Sequence, residues 1–543
     1  MRQLGSMKSW YLLEEGQAFS RSLLWDLQRD YFFGRGADAW RQEEVPHYIT
    51  SNPTIARAYA EIVFAFGQDQ QRLAPGDEPL HVCELGAGCG RFAFHFLGRL
   101  MQLCRESGVA PDAFRYVLTD FTQSNLDAWR RHPRFQPFFE TGLLDMALFD
   151  VNHSAELALQ SSGVRLSAGT LRRPLAVIAN YLFDSVPQDL YYFKDQVAHQ
   201  CLVSLAVPED PRNMDAAAVL SRIRTGYDYR PLSEAPYEEA ELNALLEDYR
   251  RDLHDAHLFF PATGIRCLRR LEALSGGGLL LLSADKGDHR LGQIAQKLPP
   301  RLVSHGSFSV SVNYHAFQSF CQRSGGTALV QEHQHQGIEV ICLLMLPGAQ
   351  DCVAARQAFR NHVAEFGPDD FFTIAKHLER HVADMTIAEV LSYVRFNHYD
   401  AHHLARLLSR LMELAPELSR DDIAALRSAI DRTWEGYFPL GEAWDLAFAI
   451  GCFFYEVDDY QAALIYFERA QEIYGRDTGT LYNMAVCHRL LNQPLQAGAL
   501  LHRVIETDPA NEQARALLNE VAGEETAMED ASRSGADALD QED

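Results

Sequence analysis

The chain has 543 residues, 47% of them hydrophobic, and its 74 acidic side chains outnumber 49 basic ones to give a formal charge of −25. That length exceeds what one hydrophobic core organises, so two to four domains are expected. The acidic balance argues against a surface that neutralises a phosphate backbone, and no nucleic-acid partner is expected. Ten cysteines are scattered with no CxxC pair, the pattern of reduced thiols in a cytoplasmic protein rather than a disulfide framework. The N-terminus lacks a signal-peptide pattern and no apolar run is long enough to span a bilayer, so no membrane association is expected.

Residues 1–75 carry helical patterning. It is clearest from Asn52 to Phe66, where Ile55, Tyr59, Ile62, Val63 and Phe66 recur at steps of three and four, with Asn52 as N-cap and Pro53 in the favoured first turn. Apolar runs suited to strands follow at His81–Leu85, Tyr116–Thr119, Leu175–Leu182, Leu279–Ser283 and Ile338–Leu346, with helical stretches between them. That alternation predicts a doubly wound α/β domain over residues 76–346. Residues 190–275 interrupt it as an insertion with a hairpin around Lys194–Gln196 and an acidic helix near Glu238–Leu253, a candidate cap over a substrate site.

From Pro347 the strands stop, and amphipathic helices continue to residue 522. Within 444–511 the small and large residues Gly451, Ala463, Phe467 and Ala470 are followed at the same offsets by Ala485, Ala497, Leu501 and Val504, with Pro509 at the end. Their spacing resembles the tetratricopeptide repeat, whose period is about 34 residues and whose helix-lined groove implies a protein or peptide partner. The acidic tail 523–543, nearly free of large apolar residues, is expected to be disordered.

The run Glu84-Leu85-Gly86-Ala87-Gly88-Cys89-Gly90 follows an apolar segment and precedes a helix-like one. Glycine permits positive φ and carries no Cβ, so such a turn can press against a bound cofactor. A dinucleotide fingerprint needs glycine three places after its second one, but Arg91 stands there, which disfavours pyrophosphate. Acidic-Leu-Gly-x-Gly-x-Gly instead resembles motif I of class I S-adenosylmethionine-dependent methyltransferases. The resemblance implies S-adenosyl-L-methionine lying over Gly86, Ala87, Gly88 and Gly90. Asp120, ending the run Tyr116–Thr119, is then a candidate acceptor for the ribose hydroxyls, or alternatively a cap for the helix that follows. Asp150, between Phe149 and Val151 at the end of a third strand, suits the adenine amino group, with Asp145 as its rival. Glu84 suits the cofactor's ammonium group or the backbone amides of the turn.

The segment Ile178–Pro187 leaves a strand and ends in a proline-fixed turn, at the end of the sheet where such folds bind ligands. Asn180 is a candidate for positioning a substrate nitrogen or the cofactor's amino-acid end. Asp184 is a candidate for holding an amine or guanidinium and accepting its proton. Both residue types also favour turns and caps. His333 and His335 share one face of a strand pattern and could pair on a metal ion, but no third ligand is evident, so no metal is expected. His315 reads either as a rim residue or as a partly buried aromatic.

Glu84–Gly90, Asn180–Pro187, the hairpin-like Tyr191–Val207 and the stretch from Gly306 to Tyr314 together resemble the MidA-type methyltransferase family, over roughly residues 45–346. That resemblance implies activity on arginine in a protein. Two departures stand out: Tyr181 occupies the place of a family glutamate, and Asp285-Lys286-Gly287 replaces Asp-Tyr-Gly. The sequence therefore predicts a Rossmann-like seven-stranded methyltransferase domain with an all-α, tetratricopeptide-type C-terminal domain. The expected activity is S-adenosylmethionine-dependent methylation of a protein side chain. Tyr181 favours a cofactor-binding adaptor as the alternative, and a small-molecule methyltransferase is the other.

Overall fold

A computed structural model describes residues 10–35, 48–300, 302–305, 307–335, 337–442 and 444–523. The acidic tail beyond Gly523 lies outside the described residues. The chain divides into two compact units, Met1–Ile374 and Ala375–Asp543.

The strands of the two main sheets of the first unit are β1 (Tyr11–Ala18), β2 (Leu80–Leu85), β3 (Phe114–Asp120), β4 (Leu144–Leu148), β5 (Leu175–Asn180), β6 (Asp189–Lys194), β7 (Val197–Val207), β8 (Arg224–Pro231), β9 (Ala256–Phe260), β10 (Leu279–Asp285), β11 (Thr327–Leu329) and β12 (Glu339–Met345). Seven of them form one sheet in the order β11-β12-β10-β5-β2-β3-β4. Neighbours from β10 to β4 are parallel, while β12 runs antiparallel between β10 and β11. Strands covered on both faces need apolar residues at successive positions, and Leu279–Leu282 and Leu175–Ala179 are buried throughout. The chain winds outward from β2 through β3 to β4, then returns to β5 on the other side of β2. Between β2 and β5 the order reverses, and that reversal opens a crevice at the carboxyl ends of the strands.

Helix α1 spans Leu23–Arg35 and α2 spans Pro53–Leu73. Asn52 caps α2, its Oδ1 accepting from the amides of Thr54 and Ile55 at 2.9 and 3.2 Å. Ile55, Tyr59, Ile62, Val63 and Phe66 are the buried stripe, each at 0% exposure. Burying a side chain of that size stabilises by about 1.5–3 kcal/mol. The expectation that residues 1–75 are wholly helical is corrected at Tyr11–Ala18, which forms a strand. It lacks clean period-two alternation because its register on β7 shifts twice, between Leu12 and Glu14 and between Glu14 and Gln17. The first unit also runs past the expected boundary at 347. The helix Val353–Phe359 packs on α2, where Asp69 Oδ2 accepts from the Ala355 amide at 2.9 Å.

The insertion is mostly a second, antiparallel sheet. β6 and β7 form a hairpin closing at Lys194 and Val197, with Asp195 and Gln196 at φ of +50° and +61°. β8 pairs with one edge of β7, while β6 and then β1 share the other, and β9 adds beyond β6. α1 covers this sheet through a core that includes Phe19, Leu24, Trp25, Leu190, Val203 and Phe308.

Among its described residues the second unit is all helical. Two hairpins, Leu446–Glu456 with Tyr460–Tyr474 and Thr478–Leu490 with Pro494–Thr507, occupy the stretch 444–511. Each turns through one left-handed residue, Asp458 at φ +59° and Asn492 at φ +57°.

Candidate functional site

The glycine turn begins where β2 ends. Gly86, Gly88 and Gly90 have φ of +62°, +54° and +82°, so their alternate spacing is a backbone requirement. Space also matters: a Cβ on Gly86 would lie 3.1 Å from the Leu182 side chain, and one on Gly90 would lie 2.9 Å from the Phe135 ring. The Ala87 amide donates to the Thr119 carbonyl and the Gly90 amide to the Ala87 carbonyl, both at 2.9 Å. Trp129 Nε1 fixes the Gly88 carbonyl at 2.9 Å. The turn then enters helix α3 (Arg91–Ser107).

Glu84 is buried and takes a 2.7 Å hydrogen bond from the Tyr116 hydroxyl. Burial pushes its carboxyl up to about 8, against the opposing effect of that bond. Asp120 stands at the tip of β3, facing the turn. Its Oδ1 accepts from the Thr122 amide and hydroxyl and its Oδ2 from Asn125 Nδ2, all at 2.9 Å. Burial raises its pKa, and those bonds oppose the rise. The carboxylate is therefore held in place from behind by the residues that start the next helix, which joins the two sequence readings of this position.

A cavity with an empty volume of about 790 Å³, its open mouth included, lies over the turn. Gly86, Asp120, Phe121, Phe149, Asp150, Val151, Tyr181, Leu182 and Ser185 stand on its wall, and Trp25, Gln28, Arg29 and Phe32 of α1 cover it. Asp150 turns to Arg29: Arg29 Nη2 donates to Oδ2 at 2.8 Å, and the Asn152 amide donates to Oδ1 at 2.9 Å. The Arg29 guanidinium also lies 4.9 Å from the centre of the Phe121 ring. Asp145 is instead a loop anchor, accepting from the amides of Met146, Ser161 and Ser162.

Asn180 and Asp184 are not on the wall of this cavity. Asn180 Oδ1 accepts from the Tyr59 hydroxyl at 3.0 Å and the Ala284 amide at 3.1 Å, while its buried Nδ2 makes no hydrogen bond. Tyr181, the next residue, holds a left-handed φ of +48° that is costly for an aromatic side chain. Asp184 is buried against Asp285 at the end of β10; its amide donates to Asp285 Oδ2 at 3.2 Å and its Oδ1 accepts from the Ser185 hydroxyl at 2.6 Å. Burial raises both carboxyls, and the charge of Asp184 adds to the rise at Asp285. Ser185 links this pair to the cavity wall.

Sequence reasoning missed Arg29 and the rest of the α1 cover, and gave Asp285 no role. Nothing local marks Arg29, because its partner lies 121 residues away. Asp285 had a usable signal, an acidic residue ending an unbroken apolar strand. His333 and His335 diverge: His333 Nε2 approaches Asp370 at 3.6 Å, while His335 Nε2 lies 3.0 Å from Glu339 and 3.3 Å from Asp288. His315 is half-buried, its Nδ1 2.8 Å from the Tyr249 hydroxyl, and burial lowers its pKa.

No protein-family model matches the chain. No curated protein matches it either. Solved structures do. An uncharacterized protein from Burkholderia thailandensis is 15% identical, over 65% of this chain and 92% of its own, with a TM-score of 0.37. A superfamily member from the same organism, bound to S-adenosyl-homocysteine, is 16% identical over the same shares with the same TM-score. The magnesium protoporphyrin IX methyltransferase of Synechocystis PCC 6803, with bound S-adenosylhomocysteine, is 10% identical over 58% of this chain and 97% of its own, at a TM-score of 0.24. Identities and scores this low leave the assignment of function to the residues of the site. The sheet order and the crevice at its reversal define a Rossmann-like, seven-stranded α/β domain of the methyltransferase type.

Proposed function

We propose that the chain is an S-adenosylmethionine-dependent methyltransferase acting on a protein side chain. One observation carries the reading: the cavity over the Gly86 turn joins a fixed carboxylate, Asp120, to a mostly apolar wall containing Phe121 and Phe149. Such a wall suits an adenosine, with its flat base and paired hydroxyls. Among the described residues on that wall the one cation, Arg29, is paired with Asp150, so nothing there is offered to a phosphate. Bound S-adenosylmethionine would supply an electrophilic methyl group on a sulfonium.

The chain's own residues do the rest. Asp120 accepts from the ribose hydroxyls, Gly86 permits close approach, and α1 excludes water from above. Asp184 and Asp285 give the paired acidity that Tyr181 removes from the family's usual position, which favours a guanidinium or amine as acceptor. Asp184, beside Asp285 and linked to the cavity wall through Ser185, is the group to take up the proton the acceptor loses. Asn180, with its Nδ2 uncommitted, is the positioning residue beside it. Alignment of the acceptor with the methyl–sulfur axis supplies most of the rate.

The helical hairpins of the second unit are read as tetratricopeptide repeats that recruit the protein substrate. Supporting this, a Cβ on Gly451 would lie 2.6 Å from the Phe467 ring, and Ala463, Ala485 and Ala497 are all 0% exposed, as closely packed helix pairs demand.

Calorimetric titration with S-adenosylhomocysteine tests the cofactor claim. A charge-assisted hydrogen bond is worth about 1.5–3 kcal/mol, so Asp120→Ala should weaken binding roughly ten- to a hundredfold. Unchanged affinity in a folded variant would sink it. Labelled methyl transfer into a cell extract, lost in Asp184→Asn while cofactor affinity is kept, tests the chemistry. Cofactor binding with no transfer by the unaltered chain points instead to the adaptor that Tyr181 favours.

A further inference from the structure

Beyond the cavity, the end of β10 and the start of β12 bring three metal-ligating side chains together. Asp288, His335 and Glu339 each place one donor atom so that all lie within 4.8 Å of one another. Glu339 is wholly buried, and its Oε2 makes no hydrogen bond. Neither ring nitrogen of His335 makes one, although Nε2 lies 3.0 Å from that Oε2 and 3.3 Å from Asp288 Oδ2. Atoms at hydrogen-bonding distance that are not aimed at each other are aimed elsewhere. Arg290 Nη2 stands 3.9 Å from Glu339 Oε2, which therefore has cationic neighbours but no well-aimed hydrogen bond, an arrangement that is costly for a buried carboxylate.

The two separations from His335 suit a bound ion. Around an ion with bonds of about 2.0–2.2 Å, neighbouring donors stand about 2.8–3.6 Å apart in octahedral or tetrahedral arrangements. Both measured edges from His335 fall in that range. The carboxylates are also held from outside. His289 Nδ1 lies 2.8 Å from Glu339 Oε1, and Arg290 binds Asp288 through Nε and Nη2, each at 2.8 Å. Such outer contacts orient the ligands of a metal site.

We propose that Asp288, His335 and Glu339 bind one divalent transition-metal ion. One imidazole with two carboxylates is a borderline donor set, suited to Zn²⁺ or Mn²⁺ better than to the all-oxygen cages of Ca²⁺. Three protein ligands leave at least one position open. Glu339 pairs in register with Asp285 across β10 and β12, so the ion sits on the same end of the sheet as the Asp184–Asp285 pair. The sequence could not supply the third ligand beside His335, because Asp288 lies in a separate two-residue strand, Gly287–Asp288, nearly fifty residues earlier.

The full chain, stripped with a chelator, is titrated with Zn²⁺ alone by calorimetry, and with Co²⁺ while visible absorption is recorded. The expected result is one more equivalent bound by the unaltered chain than by His335→Ala or Glu339→Gln, with Co²⁺ bands of a histidine-containing site that both variants lose. His289→Ala should retain the site at about 10–100-fold weaker affinity. Because Glu339→Gln alters a fully buried side chain, thermal unfolding of the metal-free forms is read alongside, and the more exposed His335 decides. Equal stoichiometry and equal spectra in the unaltered chain and folded His335→Ala would overturn the proposal and leave an ion-pair network.

Discussion

Gly90→Ala isolates the demand that the glycine turn makes on its third position. The residue sits at φ +82°, and a Cβ there would lie 2.9 and 3.0 Å from two atoms of the Phe135 ring and 3.2 Å from Trp129. Left-handed backbone costs an L-residue about 1–2 kcal/mol. Pressing a methyl into Phe135 and Trp129, which are 0% and 1% exposed, adds about 1–3 kcal/mol because neither ring has room to retreat. The gain from a stiffer unfolded chain, about 0.4–1 kcal/mol, does not offset this. The expected loss is therefore about 1–4.5 kcal/mol, read from urea unfolding with the slope unchanged. A Phe135→Ala background separates the two causes: with the ring gone, the same substitution should cost only the backbone part. An equal cost in both backgrounds, or a loss below about 1 kcal/mol in the unaltered chain, would refute the packing argument.

Glu84 makes a prediction about pH. Its carboxyl titrates near 8 in the folded chain against an ordinary value of 4.5, so its contribution is fully present below about 4.5 and fades as pH rises toward 8. The slope is at most about 1.4 kcal/mol per pH unit. Glu84→Gln should flatten the melting temperature across that window, and parallel profiles for the two proteins would contradict the assignment. In the second unit, Gly451→Ala sets a helix-propensity gain of about 1 kcal/mol against contact at 2.6 Å with the Phe467 ring. Overpacking of about 1–3 kcal/mol should win, giving net destabilisation that turns to a gain in a Phe467→Leu background. Stabilisation of the unaltered chain by Gly451→Ala would mean that the hairpin is not so tightly packed.

What the sequence made legible was local. Asn52-Pro53 wrote its own cap, the apolar runs wrote the strands, and the alternate glycines wrote their positive φ angles. Hidden were features made by pairing at a distance. Tyr11–Ala18 carries a poor strand pattern because two register shifts break its alternation, so it read as part of a helical segment. Asp150 was legible as a carboxylate at the end of a third strand, but its partner Arg29 could not be named without the fold. Asp184 was visible, while the coupling that gives it meaning comes from Asp285, 101 residues on.

The cover over the cavity has a consequence for how the chain folds. β1 and α1 are made before the residues they bond to: Gly16 in β1 bonds to the Ser204 hydroxyl 188 residues later, and Gln28 in α1 donates to the Phe308 carbonyl 280 residues later. During translation the first segment must wait, its apolar face unprotected, until the insertion sheet and the β10 region emerge. Contacts that span so much of the chain close slowly and leave early segments open to aggregation or chaperone capture. The roof of the pocket is thus synthesised before the partners it packs on and settles only after them, and ligand capture by newly made chains should lag behind completion of the sheet beneath it.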